Sequence, residues 1–128
     1  MVDCVFCRIL SGELPAQFVY KDDHVVAFLS LEQPNLYKVL VVSREHVETI
    51  FDLNGELAGA IFQSTAKIAR NIRDVSKCDG MNLVQSNGRA GQQDVFHFHL
   101  HIVPRFFGDN IVLDWDNTPA PQEKLSQF

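Results

Sequence analysis

Residues 95–105 read VFHFHLHIVPR and carry three histidines at alternating positions, His97, His99 and His101. Successive side chains of a β-strand point to opposite faces, so these three share one face while Phe96, Phe98, Leu100 and Ile102 share the other. One face is equipped for chemistry and the other for packing. A neutral imidazole nitrogen attacks phosphorus or carbonyl carbon, and histidine titrates near neutral pH, so attack and proton handling are both available. His99, flanked by the other two, is the natural attacking group. The loop NGRAGQQD (87–94) just before it offers backbone N–H groups and Gln93 to an oxyanion. The same three rings also fit a different chemistry, a three-imidazole zinc site with water in the fourth place.

The surrounding elements must hold that strand. FVYK (18–21) and VVAFL (25–29) flank Asp22-Asp23-His24, which reads as a hairpin turn, and KVLVVS (38–43) is apolar enough for a central, covered strand. Leu57, Ile61, Ile68, Ile72 and Val75 recur at helical spacing between Asn54, a cap, and Asp79-Gly80, a stop. A short helix capped by Asp3 runs through Leu10 to Ser11-Gly12. MNLVQ (81–85) is a fourth strand, and VFHFHLHIVP (95–104), closed by Pro104, is the fifth. Hairpin-joined strands with segregated helices predict an α+β fold: a five-stranded antiparallel sheet packed by one long helix and a short N-terminal one.

Bulk properties narrow the function. The chain has 128 residues, 46% of them hydrophobic, which suits one domain with a real core. No apolar run of about 18 residues reads as a membrane span. A net charge of −5 argues against gripping nucleic acid through its phosphates, and leaves single nucleotides open. The start MVDCVFCRIL has an acidic residue where a signal peptide wants a basic one, so a cytoplasmic location is expected. Three cysteines in such a chain point to thiols or metal ligands rather than disulfides. Cys4-x-x-Cys7 alone is half a metal site, and Cys78 has no evident partner.

His97-Phe98-His99-Leu100-His101-Ile102-Val103 resembles the His-x-His-x-His-x-x signature of the histidine triad (HIT) superfamily. The resemblance extends over CVFCRILSGELPAQFVYKDDHVVAFL, KVLVVSREHVETI and GRAGQQDVFHFHLHIVPR, and is nearest to the Hint-like bacterial branch. It implies a HIT domain over 1–110 with an extension at 111–128, and a homodimer whose two sheets join into ten strands. It also implies a hydrolase or transferase acting on purine nucleoside 5′-phosphoramidates or related phosphoanhydrides. His99 would form a covalent nucleotidyl-histidine, His101 would contact the phosphate or leaving group, and Gln93 and the Asp94 backbone would contact phosphate. Phe6, Ile9, Leu10 and Phe28 would wall the base, although each also reads as plain core. The resemblance further implies a structural zinc on Cys4, Cys7, His46 and His97.

The pattern is broken in places. Ser30 stands where the family has a ribose-binding acid, Tyr37-Lys38 where it has Gly-His, Ser86 for Asn and Gln92 for Gly. A serine hydroxyl still bonds ribose but lacks the charge assistance of a carboxylate. Lys38 reads as a cation for an extra phosphate or, more simply, as a solvated surface charge. These departures keep open a non-catalytic nucleotide- or partner-binding module carrying a structural zinc.

Overall fold

The computed structural model describes residues 3–127. The elements run α1 (Val5–Leu10), β1 (Phe18–Lys21), β2 (Val25–Leu29), β3 (Val39–Ser43), a 3₁₀ turn (Ile50–Asp52), α2 (Gly55–Ser76), β4 (Gly80–Gln85), β5 (His99–Arg105) and α3 (Gln122–Leu125). The five strands form one antiparallel sheet in the order β1-β2-β3-β5-β4. Asp22 makes the first hairpin: its Oδ1 accepts the N–H groups of His24 at 2.7 Å and Val25 at 2.8 Å, a side chain standing in for a turn carbonyl.

Each face of the sheet is covered by a different helix. Val25, Ala27, Val39, Val41, Leu100 and Ile102 meet Leu57, Ile61, Ile68 and Ile72 of α2, with Phe98 buried among them. Val26, Phe28 and Val42 point the other way and meet Cys4 and Phe6 of the α1 segment. Strands β2 and β3 are therefore covered on both sides, which is why their sequences read as continuous apolar runs. Each such buried Ile or Phe contributes about 2–3 kcal/mol of transfer free energy. No described helix is long and apolar enough to cross a membrane.

Five local expectations differ from the structure, each for a physical reason. Helix α1 is capped by Cys4, not Asp3, with Sγ accepting the Cys7 N–H at 3.4 Å. The apolar stripe of α2 ends at Ile72; Val75 is exposed in the last turn, where no strand covers it. The stop is Lys77, in the left-handed conformation with φ 58, and Asp79 instead gives its backbone N–H to the Arg105 carbonyl at 2.9 Å, at the mouth of β4. Most consequential, β5 begins at His99 rather than Val95. Phe98 gives its N–H to the Val47 carbonyl at 2.7 Å, so residues 95–98 bend away from the ladder. Phe96 leaves the packing face with them and sits under the Arg89 guanidinium. Pro104 does not close β5 but lies inside it, paired with Met81 and with its carbonyl turned to Asn35, beyond the point where β3 ends. No ladder bond needs its missing N–H there. From Val112 onward every described residue is exposed.

Candidate functional site

The register of β3 against β5 puts Val42 opposite His99 and Leu40 opposite His101. Both imidazoles thus rise from the α1 side of the sheet. His99 is buried, and its Nδ1 lies 2.7 Å from the carbonyl oxygen of His97. A carbonyl only accepts, so Nδ1 carries the proton and Nε2 keeps its lone pair. That Nε2 looks toward Asp94, whose Oδ1 is 3.5 Å away on an exposed side chain. Phe6 holds the ring edge-on at 5.0 Å, and His101 also meets it edgewise at 5.1 Å. Burial first, then the neighbouring His99 and the Lys38 ammonium, push the His101 pKa down to about 4, so this ring is neutral at pH 7.

A cleft of about 520 Å³ opens over these rings, within the size range of small-molecule sites. Of the residues singled out from sequence, Phe6, Ile9, Phe28, Ser30, Asp94, His99 and His101 line it. Three do not. Leu10 packs into the core beneath α1, and Ser86 lines a neighbouring groove. Gln93 is turned inward: its Nε2 donates to the carbonyls of Glu48 at 2.7 Å and Val95 at 3.1 Å, and its Oε1 accepts the Gly88 N–H at 2.8 Å. With its backbone N–H also bonded to Gly88 O, it staples the 88–95 loop. Gly91 completes that turn, since a Cβ there would sit 2.7 Å from the Asn87 carbonyl oxygen.

Sequence reasoning undervalued Lys38. It is half-buried and lines the cleft, on the same face as Leu40 and Val42 by the two-residue period of β3. That period was the signal that could have found it.

A second cluster lies behind the first. His97 is fully buried and gives its Nε2–H to the Ser43 carbonyl at 2.6 Å, which leaves Nδ1 as a free donor atom. That Nδ1 lies 3.3 Å from Cys4 Sγ, 3.6 Å from Cys7 Sγ and 3.1 Å from His46 Nδ1; Cys7 Sγ is 3.3 Å from His46 Nδ1. A tetrahedral zinc with Zn–N near 2.0 Å and Zn–S near 2.3 Å spaces its ligands about 3.3–3.8 Å apart. Three of these four spacings fall in that range and the His46–His97 pair is slightly closer, so the four atoms, all within 4.8 Å of one another, suit a tetrahedral ion. The donor chemistry agrees with the spacing. Burial, then the adjacent Cys4, raises the Cys7 pKa, and burial lowers that of His97, so two thiolates here call for a cation while the imidazole is already in its ligand form. The other nitrogen of His46, Nε2, is buried and has no partner among the described residues. His97 thus faces the thiols and not the other two rings, so the three triad imidazoles do not share one ion; Asp94, His99 and His101 form a separate group.

The β-sheet, the triad segment and the two clusters define one class of protein. The HIT domain matches residues 11–108, and the chain belongs to that family. Protein hit of Bacillus subtilis is 40% identical over 114 residues, covering 88% of this chain and 79% of its own length. Adenylylsulfatase HINT3 of Arabidopsis thaliana is 32% identical over 103 residues, covering 80% of this chain but 52% of its own length. A crystal structure of a Zn-bound histidine triad family protein from Mycobacterium smegmatis superposes with a TM-score of 0.81 at 33% identity, over 91% of this chain and 84% of that one.

Proposed function

We propose that this protein is a nucleotide hydrolase or transferase that cleaves purine nucleoside 5′-phosphoramidates or related phosphoanhydrides through a covalent nucleotidyl-His99. The observation that carries this reading is the His99 Nδ1–H held by the His97 carbonyl at 2.7 Å, which aims the Nε2 lone pair into the cleft. Phe6, Ile9 and Phe28 supply apolar surface for a purine, and Ser30, which lines the same cleft, would offer its hydroxyl to ribose. Nε2 attacks the α-phosphorus, an Nε2–P bond forms, and the bond to the leaving group breaks with its electron pair. The imidazolium so formed keeps its Nδ1 proton on the His97 carbonyl. Water then attacks phosphorus, the Nε2–P pair returns to nitrogen, and a water proton is released. Splitting one displacement into two lowers each barrier, and oriented donors near phosphate add about 2–4 kcal/mol. The name of the Arabidopsis relative, an adenylylsulfatase, supports hydrolysis at a nucleotide α-phosphorus.

Cys4, Cys7, His46 and His97 would hold a structural zinc, supported by the spacing of their donor atoms and by the Zn-bound relative. When bound, the ion supplies the positive charge that keeps both sulfurs as thiolates. The protein's own residues then fix α1, with Phe6, against the His99 ring. Two copies would pair in the cytoplasm into a ten-stranded sheet; β4, an edge strand with Leu83 exposed, has the free ladder this needs. Gln93 would act by bracing the phosphate loop rather than by touching substrate.

The test is a mass spectrum of protein quenched during turnover of an adenosine 5′-phosphoramidate. The peptide containing His99 is expected to gain one nucleoside monophosphate. Steady turnover with no such adduct at any quench time overturns the mechanism.

A further inference from the structure

Resting on the assignment of His99 as nucleophile, we propose that Lys38 selects the leaving group, favouring nucleotides that lose an anionic oxyacid, phosphate or sulfate, over those that lose an amine. Leu40 pairs with His101, and Lys38, two residues earlier, rises from the same face of the sheet. Its side chain lines the main cleft and also a second groove of about 290 Å³, and the two share only Lys38, Asp94 and His101. The catalytic face therefore sits between two compartments. The first, walled by Phe6, Ile9 and Phe28, suits a base; the second carries Ser86, Gln92 and Asn82 among apolar side chains and leaves room for a group departing from phosphorus.

Two cations and the carboxylate of Asp94 line the second groove, and of the cations only Lys38 is free. The other cation, Arg105, is already committed, with Nε and Nη2 on the carboxylate of Asp109 and Nη1 on Asn82. Asp109 is held far below the usual carboxylate range, first by Arg105 and then by the N–H groups of Phe106 and Ile111, so that pair is closed. Among the described residues Lys38 makes no ion pair. A half-buried lysine without an ion partner, beside a neutral His101, is a ready site for an anion.

The bookkeeping of the bond agrees. When the phosphorus–oxygen bond of an anhydride breaks, its pair goes to an oxyanion that departs without a proton, and the ammonium meets the new charge. When a phosphorus–nitrogen bond breaks, the amine needs a proton on nitrogen, and the neutral His101 brings none.

The test measures kcat/KM of the wild type, Lys38→Met and Lys38→Arg on three substrates: diadenosine triphosphate, adenosine 5′-phosphosulfate and a fluorogenic adenosine 5′-phosphoramidate. The ratio of anhydride to phosphoramidate turnover is expected to fall about tenfold or more in Lys38→Met, the size of one lost charge-assisted contact, and to return within about threefold in Lys38→Arg. Diadenosine triphosphate loses ADP through its β-phosphate and adenosine 5′-phosphosulfate loses sulfate, so the two anhydrides tell a phosphate from a sulfate leaving group. A ratio unchanged by Lys38→Met, or a wild type that cleaves only the phosphoramidate, overturns the role of Lys38 alone. A wild type that cleaves none of the three overturns the assignment of His99 and this inference with it.

Discussion

His97 and His99 stand two residues apart, both buried, and they present opposite nitrogens to their surroundings. His97 spends Nε2–H on the Ser43 carbonyl and frees Nδ1 toward two thiols; His99 spends Nδ1–H on the His97 carbonyl and frees Nε2 toward a cleft. Identical side chains receive different chemistry from the placement of a backbone oxygen. The bend at 95–98 causes the difference, since it lifts His97 out of the ladder and swings it behind His99. The two sites are also linked, because the carbonyl that orients His99 belongs to His97.

Removing the nucleophile should give the largest effect. His99→Ala is expected to cut kcat for an adenosine 5′-phosphoramidate by at least about a thousandfold, while AMP affinity by calorimetry stays within about threefold. Turnover within tenfold of wild type would break the contrast, for His99 would then be no more chemical than its neighbour. Disturbing His97's partners should act on stability first. Chelation, or Cys7→Ser, is expected to lower the unfolding midpoint by about 10 °C, the scale of a ligand lost from a site it saturates. Metal content by mass spectrometry should fall from one zinc per chain to none in that variant and stay at one in His99→Ala. Zinc lost from His99→Ala instead would merge the two sites into one.

Much of this division was legible in the residues. The alternation of His97, His99 and His101 with Phe98, Leu100 and Ile102 already separates a polar face from a packing face, and β2, β3 and the α2 stripe through Ile72 follow from apolar period alone. What was not legible depended on tertiary bonds. Nothing local says that Phe98 N–H will choose Val47 over a strand partner, so β5 starts four residues later than the alternation predicts and Phe96 lies off the packing face. Gln93 sits beside the phosphate loop in the chain, yet three backbone partners, one of them Glu48, draw its amide inward. Lys38 showed the reverse: a charge that looks solvated by type becomes part of the cleft because β3 carries it there.

The smallest expected effect concerns pH and separates His101 from Asp22 on opposite faces of the sheet. Burial, His99 and Lys38 lower the His101 pKa to about 4 from an unfolded value near 6.5, with Asp94 opposing. Above pH 6.5 the ring is neutral in both states and costs nothing. Between 6.5 and 4 the unfolded chain takes up a proton that the folded one refuses, so stability falls as pH falls, and below 4 the loss is complete. Asp22 acts in a lower window. Burial opposes its ionisation, but the Ser64 hydroxyl, the N–H groups of His24 and Val25 and the Tyr20 hydroxyl outweigh it and bring the pKa to about 2. Its stabilisation is full above about pH 3.8 and fades as pH drops through 2. In chelated protein, where metal release cannot contribute, His101→Gln should flatten the decline in unfolding midpoint between pH 6.5 and 4 by about 3 °C or less, since the ring is partly exposed. Asp22→Asn should leave that upper window alone and remove the lower one. A His101→Gln profile that matches wild type between pH 6.5 and 4 would mean that the ring titrates as freely in the cleft as in water, and that the cleft side of the sheet is far wetter than its apolar walls imply.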